Sequence, residues 1–575
     1  MSSKIISWLI LILTFVDHAI LKLFNDFSNN DERSLFMRKV YGVIATCASA
    51  TILASCGGGG DDDSGAKLAC TWDKDVPLSF EERRLETPLP FSGQNVVGQD
   101  QTPFATRIVT AAGFQSFAPE FAESLCNDEG QTQLSNYDEA LASVTESGKA
   151  LWRAAVDRVQ GKRALQASET LPRSDDRMLY WSRVQMTKVL RQWKPEWDIS
   201  AEQKEQLQWE FEKASRGQTD IDFPTGQTAG GKPYRRMIVS GFDVFTLGKP
   251  GTPNTGLRNG NPSGATALAL DGKEIQLSDG SVMHVQTYVL PVSYDPFNKG
   301  MQEDTLGPWF KAGPKRVDAS ISMSQGGRDI FWLEQWNGRF HGSSAGNDGI
   351  IYCPVGTRLP AVVLPLGQIT AEGADPITLG GSGCNTVVQP RWYGSDTISQ
   401  WKKDAPPQFT TASLPVEKML LANTQAGIAR PPGAKSEGQD GFDVTWHTNY
   451  SYFADCNSTT TATQPWHGVV NKMPDPADVK APEASWCART GGGGDYLSNE
   501  SAYRNTLLRD TMGLDIPAGH IHIPVMNYFH DGVEANGGGV RDDNSYTDAR
   551  FEAYRNAIVA QGEKLLTAVG ESLVP

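Results

Sequence analysis

The spacing of hydrophobic residues changes once along this chain, and the change separates two kinds of structure. From about residue 113 to 215, apolar side chains recur every three or four positions, as in "YDEALASVTESGKALWRAAVDRVQ", which is typical of amphipathic helices. A connecting segment rich in Gly, Pro and Thr follows, "GQTDIDFPTGQTAGGKPY". After it, short β-type runs such as "RRMIVSGFDVF" and "MHVQTYVLPV" alternate with helical stretches. The sequence therefore predicts an α-helical N-terminal domain and then an α/β domain with helices on both faces of its sheet.

The 575 residues are enough for two domains. We predict a linker or irregular segment at 57–105, the helical domain at 106–230 and the α/β domain at 231–575. Gly- and Pro-rich stretches near 350–440 and 457–500 are interpreted as surface insertions on the α/β domain. The helical domain offers no chemistry, and its tryptophans are interpreted as core: Trp152, Trp181 and Trp193.

The charge of the chain excludes one class of function. The formal net charge is −15, and no basic run or RNA-binding aromatic motif is present. Because phosphate binding needs a basic face, we expect no nucleic-acid partner. The acidity is interpreted as an ordinary soluble surface.

A second pattern near the N-terminus concerns export. "MRKVYGVIATCASATILASC", residues 37–56, has a basic start, a short apolar middle and a small-residue end, which is the pattern of a signal peptide. Its end, "LASC", resembles the lipobox of bacterial lipoproteins, so Cys56 is the predicted lipidation site and "GGGGDDDSG" a flexible tether. We expect a lipid-anchored protein of the bacterial cell envelope that faces the periplasm or the surface. The alternative is an ordinary membrane anchor with a linker.

Residues 1–36 lie upstream of this signal. Their apolar run "IISWLILILTFV" has twelve residues, too few for a membrane span. We interpret this region as an over-extended start, with Met37 as the true first residue. An additional membrane-inserted segment is the alternative.

The cysteines fit an oxidising compartment. Processing would remove Cys47 and lipidate Cys56, which leaves six: Cys70, Cys126, Cys353, Cys384, Cys456 and Cys487. Six cysteines allow three disulfides. Cys456, in the polar stretch "SYFADCNSTT", is then either half of a disulfide or a free thiol that leaves a second cysteine unpaired.

Three short segments carry residues suited to acyl transfer. They are "GGRDIFWLEQ" with Glu334, "YFADCN" with Cys456 and "GHIHIP" with His522. A nucleophilic thiol needs a base, and the base needs a carboxylate that orients it and stabilises its charge. The three residues form such a set only if folding brings them together.

From about residue 235 to 575 the chain resembles pyroglutamyl peptidase I, also called pyrrolidone-carboxylate peptidase, a family of cysteine peptidases. "MIVSGFDVF" with "NPSG" resembles that family's GFEPFGG and NPS, and "YVLPVSY" resembles its strand ending in LPV. "GGRDIFWLEQ" keeps the family's Gly-Gly-Arg, five residues and a glutamate, and "HIHIP" resembles IHVP. "NYSYFADCN" resembles the nucleophile loop SAGTYxCN, from which it departs by lacking Ala-Gly.

The resemblance implies a three-layer αβα fold of the phosphorylase/hydrolase type with long insertions. It implies a thiol protease that removes N-terminal pyroglutamate from peptides without a cofactor. Cys456 would be the nucleophile, His522 the base and Glu334 the orienting carboxylate. Phe242 and Phe245 match the aromatics of GFEPF and would hold the flat lactam ring. The alternative is that both pack in the core at the end of the strand.

Two alternatives belong to other classes. His520 and His522 alternate on one side of a strand and are a candidate zinc pair for a metal-dependent hydrolase, although no HExxH is present. A non-catalytic envelope-binding protein with a degenerate peptidase fold is the other, with Cys456 held in a disulfide by Cys487.

Overall fold

The computed structural model describes much of the chain after residue 69, and the described residues all belong to one compact unit that begins at Leu68. Among these residues, no helix is both long and apolar enough to cross a bilayer. The predicted signal peptide with Cys56 and the predicted nucleophile Cys456 lie outside the described residues. The described ranges are 70–88, 102–127, 134–245, 247–251, 255–327, 329–340, 344–352, 377–379, 407–422, 442–455, 458, 460–464, 472–473, 475–525 and 549–575.

Helices dominate the first part of the described chain and recur between the later strands. Their bounds are α1 Phe80–Arg83, α2 Phe104–Ala111, α3 Phe117–Leu125, α4 Tyr137–Val159, α5 Arg177–Gln192, α6 Ala201–Ala214, α7 Pro262–Leu270, α8 Tyr294–Asn298, α9 Met301–Phe310, α10 Val416–Leu420, α11 Leu497–Thr511 and α12 Ala549–Glu571.

Strands become frequent after residue 233. Their bounds are β1 Thr71–Trp72, β2 Trp193–Lys194, β3 Tyr234–Phe242, β4 Glu274–Gln276, β5 Val282–Leu290, β6 Ala319–Gln325, β7 Ile330–Glu334, β8 Trp336–Gly338, β9 Ile350–Tyr352, β10 Ile377–Leu379, β11 Phe409–Thr411, β12 Asp443–His447, β13 Tyr450–Phe453, β14 Thr461–Gln464, β15 Cys487–Thr490 and β16 Ala518–Ile523.

A seven-stranded sheet organises the later part of the chain, in the order β12-β7-β16-β6-β3-β5-β4. The pairs β12–β7, β16–β6, β6–β3 and β3–β5 are parallel. The pairs β7–β16 and β4–β5 are antiparallel. This mainly parallel sheet behind a helical N-terminal region agrees with the α/β class that the periodicity predicts.

Alternate residues of the central strands face two separate hydrophobic cores. Met237 and Val239 of β3 belong to a core that includes Phe551 of α12. Ile238 and Phe242 of the same strand occupy the even-numbered positions between and after those two residues. They belong to another core with residues of α8, α9 and α11. Because side chains alternate along a strand, helices therefore cover both faces.

The helical region has a core of its own, as predicted from its tryptophans. Trp152, Trp181 and Trp193 are each no more than 1% exposed. The same core includes Val244 and Val289 from the α/β region, so the two regions share packed surface. The predicted boundary near residue 231 falls between α6 and β3, and the domain limits stay a prediction.

A buried ion pair network fixes the helical region against the end of β3. Asp243, directly after β3, binds Arg183 of α5 at 2.6 Å and Arg216 at 2.9 Å. All three side chains are at most 4% exposed. Buried charges are stable only when paired, so removing one partner would loosen this junction. The junction lies next to Phe242 and therefore beside the carboxyl end of the central strands.

Two disulfide positions are visible among the described cysteines. Cys70 is bonded to Cys126, which ties the start of the described chain to the end of α3. Cys487 is also disulfide-bonded, and its partner lies outside the described residues.

Candidate active site

Glu334 ends β7 and is the centre of a buried polar cluster, 1% exposed. Its Oε1 lies 2.7 Å from Nδ1 of His522. Its Oε2 lies 2.7 Å from Nδ1 of His447. Folding thus brings together two residues that the sequence singled out, Glu334 and His522. It adds His447, which the sequence analysis missed and which pairs with Glu334 across β12 and β7.

The charge state of Glu334 follows from these contacts. Burial raises the pKa of its carboxyl, but the charge and hydrogen bonds of His447 and His522 outweigh burial and lower it to about 2. At neutral pH the carboxylate can only accept hydrogen bonds, so both histidines must donate through Nδ1. Neutral His522 then carries its lone pair on Nε2, and no described residue is hydrogen-bonded to that atom. This is the tautomer that a general base needs.

Trp332 fixes the two imidazole rings. His447 stacks on its indole at 4.8 Å with an interplanar angle of 10°. His522 meets the same indole edge-on at 5.9 Å. The rings are therefore held by packing as well as by the carboxylate, which reduces the freedom each must lose to react.

A serine lies beside this cluster. Ser498 is the second residue of α11, and its Oγ accepts a hydrogen bond of 2.8 Å from Oγ of Ser324. Ser324 is in turn the partner of His522 in the register of β6 and β16. Ser324 Oγ also lies 2.8 Å from Nε2 of His520, whose ring centre is 4.9 Å from that of His522, so Ser498 is linked to the cluster through Ser324 and His520.

Sequence reasoning missed Ser498 because it searched for a cysteine. The family pattern Gly-Thr-Tyr-x-Cys-Asn fits "GDYLSN", residues 494–499, with Ser498 at the nucleophile position and a helix directly after it. The fit at Cys456 is poorer, since "YFADCN" has neither the pattern's Gly four residues before the nucleophile nor its Tyr two residues before it. Cys456 lies outside the described residues, and its catalytic role stays a prediction.

The serine opens onto a small cavity of about 70 Å³. Phe242 and Phe245, the two aromatics predicted to hold substrate, both line it. The other lining residues are Asn261, Val292, Ser324, Gln325, Tyr496, Leu497 and Ser498. The cavity thus lies where β3 and β6 end and α11 begins, which is the usual position of a ligand site in an open parallel sheet.

The glycine-rich turn before α11 packs directly on the carboxylate. A Cβ on Gly492 would overlap Oε2 of Glu334, and Gly492 donates its N–H to the Trp336 carbonyl at 2.7 Å. The run "GGGGD" at 491–495 therefore lets the chain pass close to Glu334 and then enter the helix that carries Ser498.

His520 takes part in a hydrogen-bond network. Its Nδ1 and Nε2 lie 2.8 Å from the hydroxyls of Ser322 and Ser324, respectively. Both ring nitrogens are therefore already bonded, and the ring is fully buried. Within the described ranges no cluster of three His, Cys, Asp or Glu side chains could hold a metal ion. The geometry around His520 and His522 thus supports a hydroxyl and imidazole network.

Comparison with solved structures finds pyrrolidone carboxyl peptidases from several organisms. A mutant pyrrolidone carboxyl peptidase from Pyrococcus furiosus is 16% identical, covers 59% of this chain and 100% of its own, and has a TM-score of 0.28. The pyroglutamyl peptidase I of Bacillus amyloliquefaciens is 13% identical, covers 58% and 95%, and has a TM-score of 0.27. At these TM-scores the likeness establishes neither fold nor activity for this chain.

Sequence comparison is more decisive. The family described as "PA0049 N-terminal domain" matches residues 62–212, and "PA0049, C-terminal domain" matches residues 236–527. A Pseudomonas aeruginosa protein named "Uncharacterized protein PA0049" is 60% identical over 538 residues, which is 93% of this chain and 97% of that protein. By these matches, the chain belongs to the PA0049 family.

Proposed function

We propose that this protein is a hydrolase that removes N-terminal pyroglutamate from peptides by acyl transfer, with Ser498 as the nucleophile. The observation that carries the proposal is the buried Glu334–His522 pair beside a helix-start serine at a cavity lined by Phe242 and Phe245. In the proposal, Glu334 orients His522 through Nδ1, and His522 acts as base toward the Ser498 hydroxyl, which is the arrangement that nucleophilic catalysis requires.

The reaction would proceed in two steps. Ser498 Oγ attacks the carbonyl carbon of the scissile amide while Nε2 of His522 takes the hydroxyl proton. The tetrahedral intermediate collapses, the C–N bond breaks, and His522 returns the proton to the leaving amine. Water then attacks the acyl-serine with His522 as base and releases the acid. Glu334 stays ionised, holds Nδ1–H and stabilises the imidazolium.

The start of α11 would stabilise the oxyanion. Tyr496, the residue that caps the helix, makes no side-chain hydrogen bond to the first turn. The first N–H groups of a helix have no partner within it, and the helix dipole favours negative charge there. Ser498 lies in this turn, so the developing oxyanion would meet backbone donors.

The small cavity would hold the pyroglutamyl ring. The lactam is flat, with one donor and one acceptor, and suits a site with two phenylalanines and the side chains of Gln325 and Asn261. The specificity for pyroglutamate, and the finer assignment to the αβα phosphorylase/hydrolase type, rest on the sequence resemblance.

The test is release of a fluorophore from a pyroglutamyl-amide reporter. Ser498→Ala should abolish release, because no oxygen nucleophile remains. Ser498→Cys should retain measurable activity and become sensitive to alkylating agents. Cys456→Ser is the matched control: it should leave activity intact, whereas loss of activity in Cys456→Ser but not in Ser498→Ala would return the role to the thiol.

The second candidate is a non-catalytic binding protein with a degenerate peptidase fold. This candidate is favoured by Ser498, which stands at the position where the family pattern has cysteine. Its signature would be binding of a pyroglutamyl peptide with no turnover by the native protein.

We also propose that the protein is held at the cell-envelope membrane by a lipid on Cys56. The "LASC" sequence and the following glycine-rich tether support this location.

A further inference from the structure

A second, larger cavity of about 480 Å³ adjoins the small one. Phe245, Val292 and Tyr496 line both cavities, so the two are neighbouring parts of one cleft. Pyroglutamate has no residue on its N-terminal side. If it occupies the small cavity, anything in the larger one belongs to the amine side of the scissile bond.

The helical region supplies one wall of the larger cavity. Phe80 of α1 and Arg84 directly after α1 line it, opposite residues of the segment 344–349. The contact is close, since a Cβ on Gly349 would lie 2.8 Å from the Phe80 ring. A sheet domain without the helical region would lack this wall.

Arg84 is buried and fixed by hydrogen bonds to two backbone carbonyls and by contact with an aromatic ring. It is 3% exposed, its Nε donates to the Gly248 carbonyl at 2.8 Å, and its Nη1 donates to the Asn347 carbonyl. Its guanidinium lies 4.6 Å from the Phe80 ring centre. No described residue accepts a hydrogen bond from the remaining nitrogen, Nη2. Because Arg84 lines the cavity, Nη2 is available to a ligand, and a hydrogen bond from a guanidinium to a carboxylate is among the stronger kinds.

The charges around the cavity favour an anion. Among the described residues that line it, Arg84 and Lys249 are basic and none is acidic. Burial raises the pKa of the Glu81 carboxyl, although the nearby charge of Arg84 lowers it in part. Because a raised pKa disfavours the ionised form, Glu81 competes less strongly with a bound anion for the Arg84 guanidinium. The rest of the lining is largely apolar, with Phe80, Leu247 and Tyr496.

We propose that the larger cavity is the leaving-group subsite and that Arg84 binds a carboxylate there. The preferred substrate is then a short pyroglutamyl peptide whose first leaving residue is apolar and followed closely by a carboxylate. This inference rests on the proposed function, since it takes the pyroglutamyl ring to occupy the small cavity.

The probes are pyroglutamyl-phenylalanine and its C-terminal amide, which differ by one charge. The native protein should cleave the acid with a kcat/KM roughly tenfold above that of the amide. A factor of this size is what one charge-assisted hydrogen bond from Arg84 to the carboxylate would give. Arg84→Gln should bring this ratio near one, and Arg84→Lys should keep part of it. The matched control is Arg83→Gln, the adjacent arginine that does not line the cavity, which should keep the ratio.

A binding measurement tests the subsite without any turnover. Ser498→Ala protein should bind the acid roughly tenfold more tightly than the amide. Equal affinities, or an acid-to-amide ratio that Arg84→Gln leaves unchanged, would overturn the subsite. Absence of any Ser498-dependent release from the pyroglutamyl-amide reporter would instead overturn the proposed function, so the two failures are distinguishable.

Discussion

At the scale of single residues, the sharing of Glu334 between two histidines sets this site apart from a simple triad. One carboxylate oxygen orients His522, and the other is occupied by His447, so the carboxylate cannot rotate without losing a charge-assisted hydrogen bond. In the proposed reaction, His447 would act through Glu334. We interpret it as a positioning residue.

Replacing His447 tests this role. His447→Gln should lower kcat about tenfold with a smaller change in KM, because an orienting hydrogen bond is lost and substrate contacts are not. His447 is also one of the groups that lower the pKa of Glu334 to about 2. Without it that pKa should rise, which an NMR titration of the Glu334 carboxyl measures.

The control for this experiment is His284→Gln, a change at a β5 histidine that contacts Gln286 and does not line the cavity. It should leave both kcat and the pKa of Glu334 as in the native protein. An unchanged kcat and an unchanged Glu334 pKa in His447→Gln would mean that His447 is only a packing residue.

At the scale of elements, β6 and β16 carry the polar network beneath α11. Ser322, Ser324, His520 and His522 all lie on the face of these strands that α11 covers, because residues two apart share a side of the sheet. The hydroxyl of Ser324 links His520 to Ser498. The strand pair thus supports Ser498, the proposed nucleophile, through the hydroxyl of Ser324.

This network predicts a pH dependence of stability. Burial, and then the nearby His522, lower the pKa of His520 well below its usual value of 6.5. As pH falls below about 6.5, unfolded His520 takes up a proton and the folded form does not, so the free energy of unfolding should fall by about 1.4 kcal/mol per pH unit from this group.

Urea unfolding at about pH 7.5 and 5.5 measures the effect. The loss of stability on acidification should be smaller in His520→Asn than in the native protein. Other titrating groups, such as His284 with its lowered pKa, contribute to both proteins and cancel in the difference. The same loss in both would contradict the assignment.

At the scale of the whole molecule, the helical region is part of the site as well as a neighbour of it. Its arginines Arg183 and Arg216 bind Asp243 at the end of β3, and Phe80 and Arg84 wall the larger cavity. We therefore expect the two regions to act together on substrate.

The membrane anchor is a whole-molecule property that the sequence alone predicts. Cys56→Ala should abolish acyl-lipid labelling and release the protein from the membrane fraction, since lipidation needs that thiol. Cys47→Ala is the matched control, because this cysteine lies in the part that processing would remove, and it should change neither readout. Unchanged labelling of Cys56→Ala would reject the lipobox.

The local pattern of the sequence determined the kinds of elements and part of the site. Hydrophobic periods of about 3.6 and 2 depend only on near neighbours, so the helical region, the α/β region and the buried tryptophans could be read from them. Short sequence motifs predicted Glu334 and His522 as site residues. They are 188 residues apart in the chain, and their side chains are hydrogen-bonded in the structure.

The tertiary structure alone decided which distant residues share that contact. The strand order β12-β7-β16-β6 brings His447 to one oxygen of Glu334 and His522 to the other, and it sets Ser324 beside His522 under Ser498. No period in the sequence encodes strand order, because neighbouring strands are chosen by the packing of whole faces. The second histidine, and the position of Ser498 against Ser324, became visible only once the sheet was assembled.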